Sequence, residues 1–292
     1  GRLLQGGEAF WDEGRAPGFA SGRLTSRIRP YKVARAMDNM AFCYTTTPLE
    51  MAESMAFNSD CLGAVCWFEY AAITRRPASA EPVSPELAPF VRFFHTRRDL
   101  LRNAGVVADV AVLRSFPSAV FGDARNAALT SAVEEALIGG RAAFQILHDH
   151  QLDRLKKYRV LVLAGCPALS DEQVERIKAF VREGGRLCLV GPAATHNQWM
   201  EPRAAAAFDE LPESHVTRCG QKDDLLAAVR RACDGTLSLS VEAEPGLCAE
   251  LTEQSGRRLV HLVNYCSNQP AKNVAVRLRL PDGKKPAKVT LV

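Results

Sequence analysis

Three adjacent residues in the middle of the chain have side chains of the types that bind metal ions. His148, Asp149 and His150 follow an apolar stretch over Ala143–Leu147. On an extended backbone successive side chains point to opposite faces, so His148 and His150 share a side that Asp149 does not. Two histidines supply only part of the three or four ligands that a zinc site needs. We therefore predict no metal and no cofactor for this chain.

A second candidate for chemistry is Cys166, which follows the β-branched stretch Arg159–Ala164. A nucleophilic cysteine at the end of a strand needs a tight turn of small residues leading directly into a helix. Pro167 follows Cys166 instead, and the next helix is predicted to begin only after Ser170. The sequence therefore favours a structural thiol. The nine cysteines include no Cys-x-x-Cys pair, so we expect reduced thiols and a cytoplasmic location.

The composition is that of a globular protein, with 47% hydrophobic and 24% charged residues among 292. This balance excludes disorder and coiled coil, and the length predicts two or three domains. No apolar run approaches the ~20 residues that span a membrane, so we predict no membrane partner. Residues 256–292 carry eight Lys and Arg against one acid, Asp282. The period-two pattern of Val274–Leu280 places its arginines on the solvent face of a strand, so we predict no nucleic-acid partner.

The central part of the chain alternates strands with helices. Asp123 is predicted to cap a helix that runs to Ile138, and a capping box of Ser170 and Gln173 begins another that ends at Gly184. The strands around these helices are Val106–Leu113, Ala143–Leu147, Arg159–Ala164 and Leu187–Val190. Apolar strands linked by amphipathic helices predict a doubly wound α/β domain with a parallel sheet covered on both faces.

The stretch from Tyr158 to Pro192, YRVLVLAGCPALSDEQVERIKAFVREGGRLCLVGP, resembles a known kind of domain. It is similar to the glutamine-amidotransferase-like domain that follows the catalytic barrel in family-42-type glycoside hydrolases. In the β-galactosidases of that family this part is called the trimerisation domain. True amidotransferases place their catalytic cysteine in a Gly-x-Cys-x-Gly elbow, where this chain has Gly191, Pro192 and Ala193. The resemblance therefore implies a non-catalytic domain over residues 106–235 and a homo-oligomer, a trimer.

The same resemblance implies that residues 1–105 are the last part of a (β/α)8 barrel. The predicted strands are Leu3–Gly7, Met40–Tyr44 and Leu62–Phe68, and the predicted helices are Ile28–Met37, Leu49–Phe57 and Glu86–Leu101. These are strands six to eight of such a barrel with their helices. Because three βα units cannot close a barrel, we expect this chain, which begins at Gly1, to be part of a longer protein and to be inactive alone.

Residues 236–292 resemble the small C-terminal β-domain of the same glycosidases. Four strands with period-two patterning are predicted, and they are Leu247–Leu251, Arg258–Asn264, Val274–Leu280 and Lys288–Val292. Four strands are few for an independent sandwich, so we expect this domain to be truncated.

Active sites of barrels lie at the carboxyl ends of the strands, where glycosidases place two carboxylic acids and aromatic side chains. Glu8 follows the first predicted strand, and Trp11 lies just beyond it. Glu8 is either a catalytic acid or a surface carboxylate. Glu69, near Trp67, is a weaker catalytic candidate that fits a loop or rim residue better. The aromatic residues Trp11, Tyr44 and Trp67 are the candidates for binding substrate.

One departure from the family affects the mechanism. Family-42 β-galactosidases carry their nucleophile at the end of strand seven, whereas that strand here ends in Tyr44 and three threonines. The family's retaining mechanism carries over only if the strand count shifts by one, in which case Glu8 takes the nucleophile position. The other catalytic carboxylate lies outside this chain in either case.

Two functions follow from these observations. In the first, the chain is the C-terminal portion of a hydrolase that acts on O-glycosyl bonds of a carbohydrate substrate, and its central domain serves oligomerisation or supports the active site. In the second, the chain is a non-enzymatic scaffold or a module that binds sugar or partner subunits.

Overall fold

The computed structural model describes residues 9–12, 14–59, 64–66, 85–220, 224–266, 269–280 and 284–292. The strands are β1 (Ala9–Asp12), β2 (Gly18–Ala20), β3 (Arg23–Thr25), β4 (Met40–Thr45), β5 (Ala64–Cys66), β6 (Gly105–Val106), β7 (Val110–Arg114), β8 (Phe144–His148), β9 (Val160–Ala168), β10 (Arg186–His196), β11 (Val216–Cys219), β12 (Leu239–Glu242), β13 (Leu247–Gln254), β14 (Arg257–Asn264) and β15 (Ala275–Leu278). The helices are α1 (Ile28–Ala36), α2 (Pro48–Phe57), α3 (Ala88–Leu101), α4 (Phe116–Phe121), α5 (Ala124–Gly139), α6 (Asp171–Arg182) and α7 (Leu225–Ala232), and a 3₁₀ segment covers Asp149–Lys157. None of the helices among these residues is long and apolar enough to cross a membrane.

The chain divides into two compact units, each made of separate stretches of sequence. The first unit comprises Gly1–Val106, Gln145–His148 and Glu244–Lys272, and the second comprises Val107–Phe144, Asp149–Ala243 and Asn273–Val292. Residues 244–272, which the sequence assigns to a C-terminal β-domain over 236–292, thus lie in the first unit. The remaining residues of that predicted domain lie in the second unit.

The first unit contains a parallel three-stranded sheet in the order β1-β4-β5. Helix α1 lies between β1 and β4 in the chain and α2 between β4 and β5, the alternation that builds a (β/α) barrel. The predicted strand Leu3–Gly7 lies outside the described residues, and the strand described in this region is β1. The first unit also contains an antiparallel sheet, β14-β13-β6, and the hairpin β2-β3.

Helix α2 shows why this part of the chain is helical. Thr47 and Glu50 form a capping box, and Pro48 at the first helical position is already set for a helical φ. The buried residues Met51 and Met55, one turn apart, pack with Leu87 and Leu101 around the ends of α3. The helix predicted over Leu49–Phe57 is therefore confirmed.

The largest sheet has the order β11-β10-β9-β7-β8, and four of its strands, β7, β9, β10 and β11, belong to the second unit. Strand β7 pairs in parallel with β9, β9 with β10, and β10 with β11. Numbered from β7, this is the order 2-1-3-4-5 of doubly wound, flavodoxin-like sheets. Every residue of β9 is buried, as expected for a strand covered on both faces. The predicted parallel α/β sheet is confirmed.

The predicted helix starts of the second unit are also found. Asp123 accepts a hydrogen bond from the amide of Arg125 at 2.8 Å, and α5 runs to Gly139. The capping box of Ser170 and Gln173 begins α6. The predicted apolar stripe of α6 is buried, and its members are Val174, Ile177, Phe180 and Val181.

Two strands of the second unit continue past glycines at which they were predicted to end. β9 continues past Gly165 to Ala168, and β10 continues past Gly191 to His196. Both glycines have positive φ, +58° and +73°, and the β9–β10 pairing shifts register after Val190. The glycines therefore bend these strands where we expected them to end, because glycine accepts a left-handed backbone without a steric penalty.

Three strand predictions are wrong in detail. The single strand over Val106–Leu113 is two strands, because β6 pairs with β13 and β7 with β9. Strand β15 is exposed along its whole length, so the expected half-buried face is absent. The described residues 284–292 contain no strand where Lys288–Val292 was predicted, and Leu291 is 98% exposed. Apolar alternation alone does not form a strand without a pairing partner.

Candidate functional site

The carboxyl ends of β1, β4 and β5 form one edge of the parallel sheet in the first unit. Asp12, the last residue of β1, lies opposite Cys43, and Thr45 at the end of β4 lies opposite Cys66. In (β/α) barrels this edge carries the loops that form the active site. Asp12 is half-buried and accepts a hydrogen bond from the amide of Gly14.

Glu50, in the first turn of α2, holds the loop that follows β4. Its Oε2 accepts hydrogen bonds from the amide of Thr46 at 2.7 Å, the hydroxyl of Thr46 at 3.1 Å and the amide of Thr47 at 3.0 Å. Its Oε1 accepts from Nη2 of Arg27 at 3.1 Å. Glu50 is buried, so its charge is balanced by these donors rather than by water.

Arg27, at the N-cap of α1, joins the loops that follow two strands. Its Nη2 donates to Glu50 and also to the carbonyl oxygen of Gly14 at 3.2 Å, in the loop after β1. The side chains of Arg27 and Glu50 are 4% and 5% exposed. A buried, hydrogen-bonded ion pair of this kind fixes the relative position of the two loops.

Glu53 lies one turn after Glu50 and is fully buried. Its Oε1 accepts from the backbone amide of Arg27 and from the hydroxyl of Tyr265, each at 2.7 Å. Burial raises the pKa of Glu53 to about 7, although the two hydrogen bonds and the charge of Arg27 favour its ionised form. Tyr265 directly follows β14, and burial raises the pKa of its phenol well above the ordinary value.

The buried network of Arg27, Glu50, Glu53 and Tyr265 is suited to positioning and not to bond cleavage. Its carboxylates are buried, and a catalytic acid must touch substrate. A group that could act as a catalytic acid at this edge would have to lie nearer solvent. Asp12 is such a group among the described residues.

The predicted site residues are described only in part. The backbone of Trp11 lies on β1 opposite Phe42, and the backbone of Tyr44 lies on β4 opposite Val65. These two candidates are therefore on neighbouring parallel strands near one edge. Glu8, Trp67 and Glu69 lie outside the described residues.

The network was not predicted from the sequence, although part of it has a sequence signal. The Thr47-x-x-Glu50 spacing before an apolar run is a capping box. Glu50 also forms an ion pair with Arg27, and the capping-box spacing does not reveal this second contact. Tyr265 is 212 residues from Glu53, and no local pattern connects them.

The second unit has its own carboxyl edge, at the ends of β7 and β9. Strand order reverses between these strands, and ligands of doubly wound folds bind at such a point. Here α4 occupies it. The hydroxyls of Ser115 and Ser118 both donate to the carbonyl of Ala168, at 2.8 and 3.0 Å. The reversal point is thus filled by the protein's own residues.

Cys166 lies at this edge but is not an activated thiol. Its side chain is buried, and burial raises its pKa to about 12. Its Sγ lies 3.6 Å from the carbonyl oxygens of Leu113 and Ala164, which do not stabilise a thiolate. The structural interpretation of Cys166 agrees with this environment.

The His148-Asp149-His150 stretch is not extended as we assumed. His148 ends β8, whereas Asp149 and His150 begin the 3₁₀ segment. Asp149 Oδ2 accepts from the amide of Phe116 at 2.7 Å, and burial raises the Asp149 pKa to about 6. Among the described residues no three His, Cys, Asp or Glu side chains come together in a way that could hold a metal ion.

No protein-family model matches the sequence, and no curated protein matches it either. Solved structures do match. A catalytic mutant of Gan42B, a GH42 beta-galactosidase from G. stearothermophilus, gives a TM-score of 0.63 at 11% identity, covering 86% of this chain and 52% of that chain. The beta-galactosidase from Rahnella sp. R3 gives 0.53 at 12% identity, covering 91% of this chain and 51% of that chain. The chain therefore has a GH42-like fold and spans about half the length of these structures.

Proposed function

We propose that this chain is the C-terminal portion of a glycoside hydrolase that cleaves O-glycosyl bonds, with a β-galactoside as the first substrate class to test. The observation that carries this proposal is the fold shared with GH42 beta-galactosidases over 86% of the chain. The order of β1, β4 and β5 with their helices supports it, since barrel enzymes place their catalytic groups at the edge where Asp12 and Thr45 lie.

Within this proposal, Glu8 and Glu69 stay the candidate catalytic acids, and Asp12 joins them from its place at the end of β1. Trp11, Tyr44 and Trp67 are the candidates for stacking on the sugar. The buried network of Arg27, Glu50, Glu53 and Tyr265 positions the loops around them.

We further propose that the second unit is a glutamine-amidotransferase-like, non-catalytic domain that supports a homotrimer, and that the C-terminal strands belong to a glycosidase β-domain. The strand order 2-1-3-4-5 and the buried thiol of Cys166 support the first part. The cysteine side chains that the structure describes form no disulfide with one another, which supports a cytoplasmic location.

A non-enzymatic scaffold or a sugar- or subunit-binding module is the second candidate function. The observation in its favour is that Arg27, Glu50 and Glu53, charged residues of the described carboxyl edge, are buried in contacts with each other. Such contacts are typical of a structural network as well as of the support for an active site.

The test measures hydrolysis of p-nitrophenyl β-D-galactopyranoside by the product of the complete reading frame and by the 292-residue chain. We expect turnover by the complete product and none by the chain. Removing a catalytic acid lowers kcat by about 10²–10⁴-fold, so one of Glu8→Gln, Asp12→Asn and Glu69→Gln should show such a loss.

The matched control is Glu172→Gln, which changes an exposed carboxylate of α6 and should leave kcat unchanged. If the complete product hydrolyses none of a panel of aryl glycosides, the hydrolase proposal is wrong and the scaffold function stands. If turnover occurs and all three variants keep the full kcat, these residues are removed from the mechanism.

A further inference from the structure

We propose that the second unit carries a monosaccharide-binding pocket at the carboxyl ends of β10 and β11. The pocket has a volume of about 330 Å³, within the size range of small-molecule sites. Its lining includes Leu189, Gly191, Ala193, Phe208, Asp209 and Arg218. The proposal goes beyond the hydrolase function and does not depend on it, because it concerns binding by the second unit.

The backbone around the pocket is bent at two places. Gly191 has a φ of +73°, and Ala194, a buried non-glycine residue, has a φ of +50°. The β9–β10 pairing shifts register on both sides of Ala193. A left-handed alanine costs free energy, so the surrounding structure must hold it in place.

The segment that follows β10 is bonded to the bent part of the strand, where the amide of Arg203 donates to the carbonyl of Thr195 at 2.9 Å. The guanidinium of Arg203 donates to the carbonyl of Leu169 at 2.8 Å, to the carbonyl of His196 at 3.3 Å and to Asp171 at 2.6 Å. The amide of Ala207 donates to the carbonyl of Ala194 at 3.1 Å. The bent strand and the pocket wall formed by residues 206–209 are thus fixed to each other.

The side chains of the pocket identify the class of ligand. Leu189, Ala193 and Phe208 supply an apolar floor. On the rim, Nη2 of Arg218 lies 2.8 Å from Oδ1 of Asp209, and both side chains are about half exposed. They present donors and acceptors side by side, as a pair of neighbouring hydroxyl groups requires.

The charge of the pocket argues against ionic ligands. Asp209 and Arg218 are the charged members of the described lining, and their charges cancel. An anion would face the carboxylate, and a cation would face the guanidinium. A neutral sugar has an apolar C–H face that can pack on the floor and hydroxyl groups that can form hydrogen bonds with Asp209 and Arg218 on the rim.

The experiment is an NMR titration of the isotope-labelled 292-residue chain with methyl β-D-galactopyranoside. We expect saturable shifts confined to residues 189–195, 206–209 and 218–219, with a millimolar Kd. Arg218→Gln should weaken binding about tenfold, which corresponds to the loss of one charge-assisted hydrogen bond. Ala206→Trp, at a partly exposed lining position, should fill the pocket and abolish the shifts.

The matched control is Arg176→Gln. Arg176 forms an exposed ion pair of the same 2.8 Å length with Glu172, on α6 of the same unit and outside the pocket lining. We expect it to leave the sugar affinity unchanged. A spectrum with native dispersion for each variant shows that the fold is kept.

The proposal is overturned if the sugar gives no saturable shifts, or if Arg176→Gln weakens binding as much as Arg218→Gln. It is also overturned if sodium sulfate shifts the same residues at lower concentration than the sugar, because the pocket would then be an anion site. Binding is measured without turnover, so failure of the hydrolase proposal leaves this result unaffected.

Discussion

The two units of this chain bury different kinds of side chain. In the second unit the central strands β7 and β9 are apolar, and the residues Val110–Leu113 are completely buried. In the first unit the buried residues include the ion pair of Arg27 with Glu50 and that of Lys32 with Glu250. In the second unit the buried Glu134 pairs with Arg114, whose side chain is 29% exposed. The difference is therefore that the first unit contains ion pairs buried at both ends, whereas those of the second unit keep one partner near solvent.

This difference bears on what each unit does. Buried ion pairs add little net stability compared with apolar residues of the same size, but removing one partner is costly. They hold one arrangement of the elements that they join. The pair of Arg27 with Glu50 joins the loops after β1 and β4, which our proposal assigns to the active-site edge, and the pair of Lys32 with Glu250 joins α1 to β13. A fixed loop geometry is what a catalytic edge requires.

The largest predicted effect tests this dependence on charge. Glu250, fully buried, accepts from Nζ of Lys32 at 2.7 Å and from Nη1 of Arg35 at 3.1 Å. Glu250→Gln removes the negative charge that faces the buried Lys32 and the partly exposed Arg35, and should lower the free energy of unfolding of the first unit by about 3–5 kcal/mol. Hydrogen exchange of peptides from each unit locates the loss.

A second substitution distinguishes lost charge pairing from poor packing. Lys32→Met in the Glu250→Gln background removes the buried ammonium and should restore much of the stability. Leu163→Ala, on β9, is the control for the second unit and should cost about 2–5 kcal/mol there through its cavity. If Glu250→Gln costs no more than a surface substitution, the contrast between the two units is wrong.

The next effect is a pH dependence centred on Glu53. Burial raises its pKa from 4.5 to about 7 in the folded protein, with the Arg27 charge and the Tyr265 hydroxyl opposing the shift. Between these two values the folded state binds more protons than the unfolded state, so stability falls as the pH rises. The loss amounts to about 3 kcal/mol and is complete above pH 7.

Denaturant unfolding of the wild type and of Glu53→Gln, from pH 4 to 8, measures this dependence. The glutamine keeps an oxygen acceptor but does not ionise, so the difference between the two proteins should grow across the window. Tyr265→Phe removes a donor to the carboxylate and should move the upper limit of the window to higher pH. Parallel curves for the wild type and Glu53→Gln would refute this assignment.

The two units also differ in how much of their structure the sequence predicts. In the second unit, the β-branched run of β9 and the stripe of α6 from Val174 to Val181 predict the elements correctly. These signals are local and periodic, and burial on both faces reinforces them. The prediction fails at Gly191, where a bend looks in the sequence like the end of a strand.

In the first unit the helices α1, α2 and α3 were predicted, whereas β1, the hairpin β2-β3 and the buried network were not. The capping box of Thr47 and Glu50 is local, so α2 was expected. The bond from Tyr265 to Glu53 joins residues far apart in the chain, and its energy depends on burial that only the folded structure provides. A long-range polar network leaves no periodic signal, because any polar residue at those positions looks like a surface residue.

The smallest effect compares the two capping boxes. Ser170 caps α6, and its oxygen accepts from the amide of Gln173 at 3.2 Å. Thr47 caps α2 at a corresponding 3.3 Å, but Pro48 removes one amide donor there, and Glu50 is also bound by Arg27. Arg203 also bonds Asp171 at the start of α6, but Asp171 is exposed, whereas the pair that holds the start of α2 is buried. Ser170→Ala should therefore cost about 1 kcal/mol and Thr47→Ala less.

Amide exchange in the first turn of each helix measures this difference. Equal losses of protection in α2 and α6 would mean that Arg27 contributes nothing to holding α2, and the positioning role of the buried network would fail with it. The double variant Arg27→Gln/Thr47→Ala tests this role. If Thr47→Ala alone lowers the protection of α2 only slightly, but lowers it as much as Ser170→Ala lowers that of α6 once Arg27→Gln is present, the ion pair supports the start of α2. Such coupling would show that the buried pair of Arg27 and Glu50 fixes the loop after β4 at the proposed active-site edge.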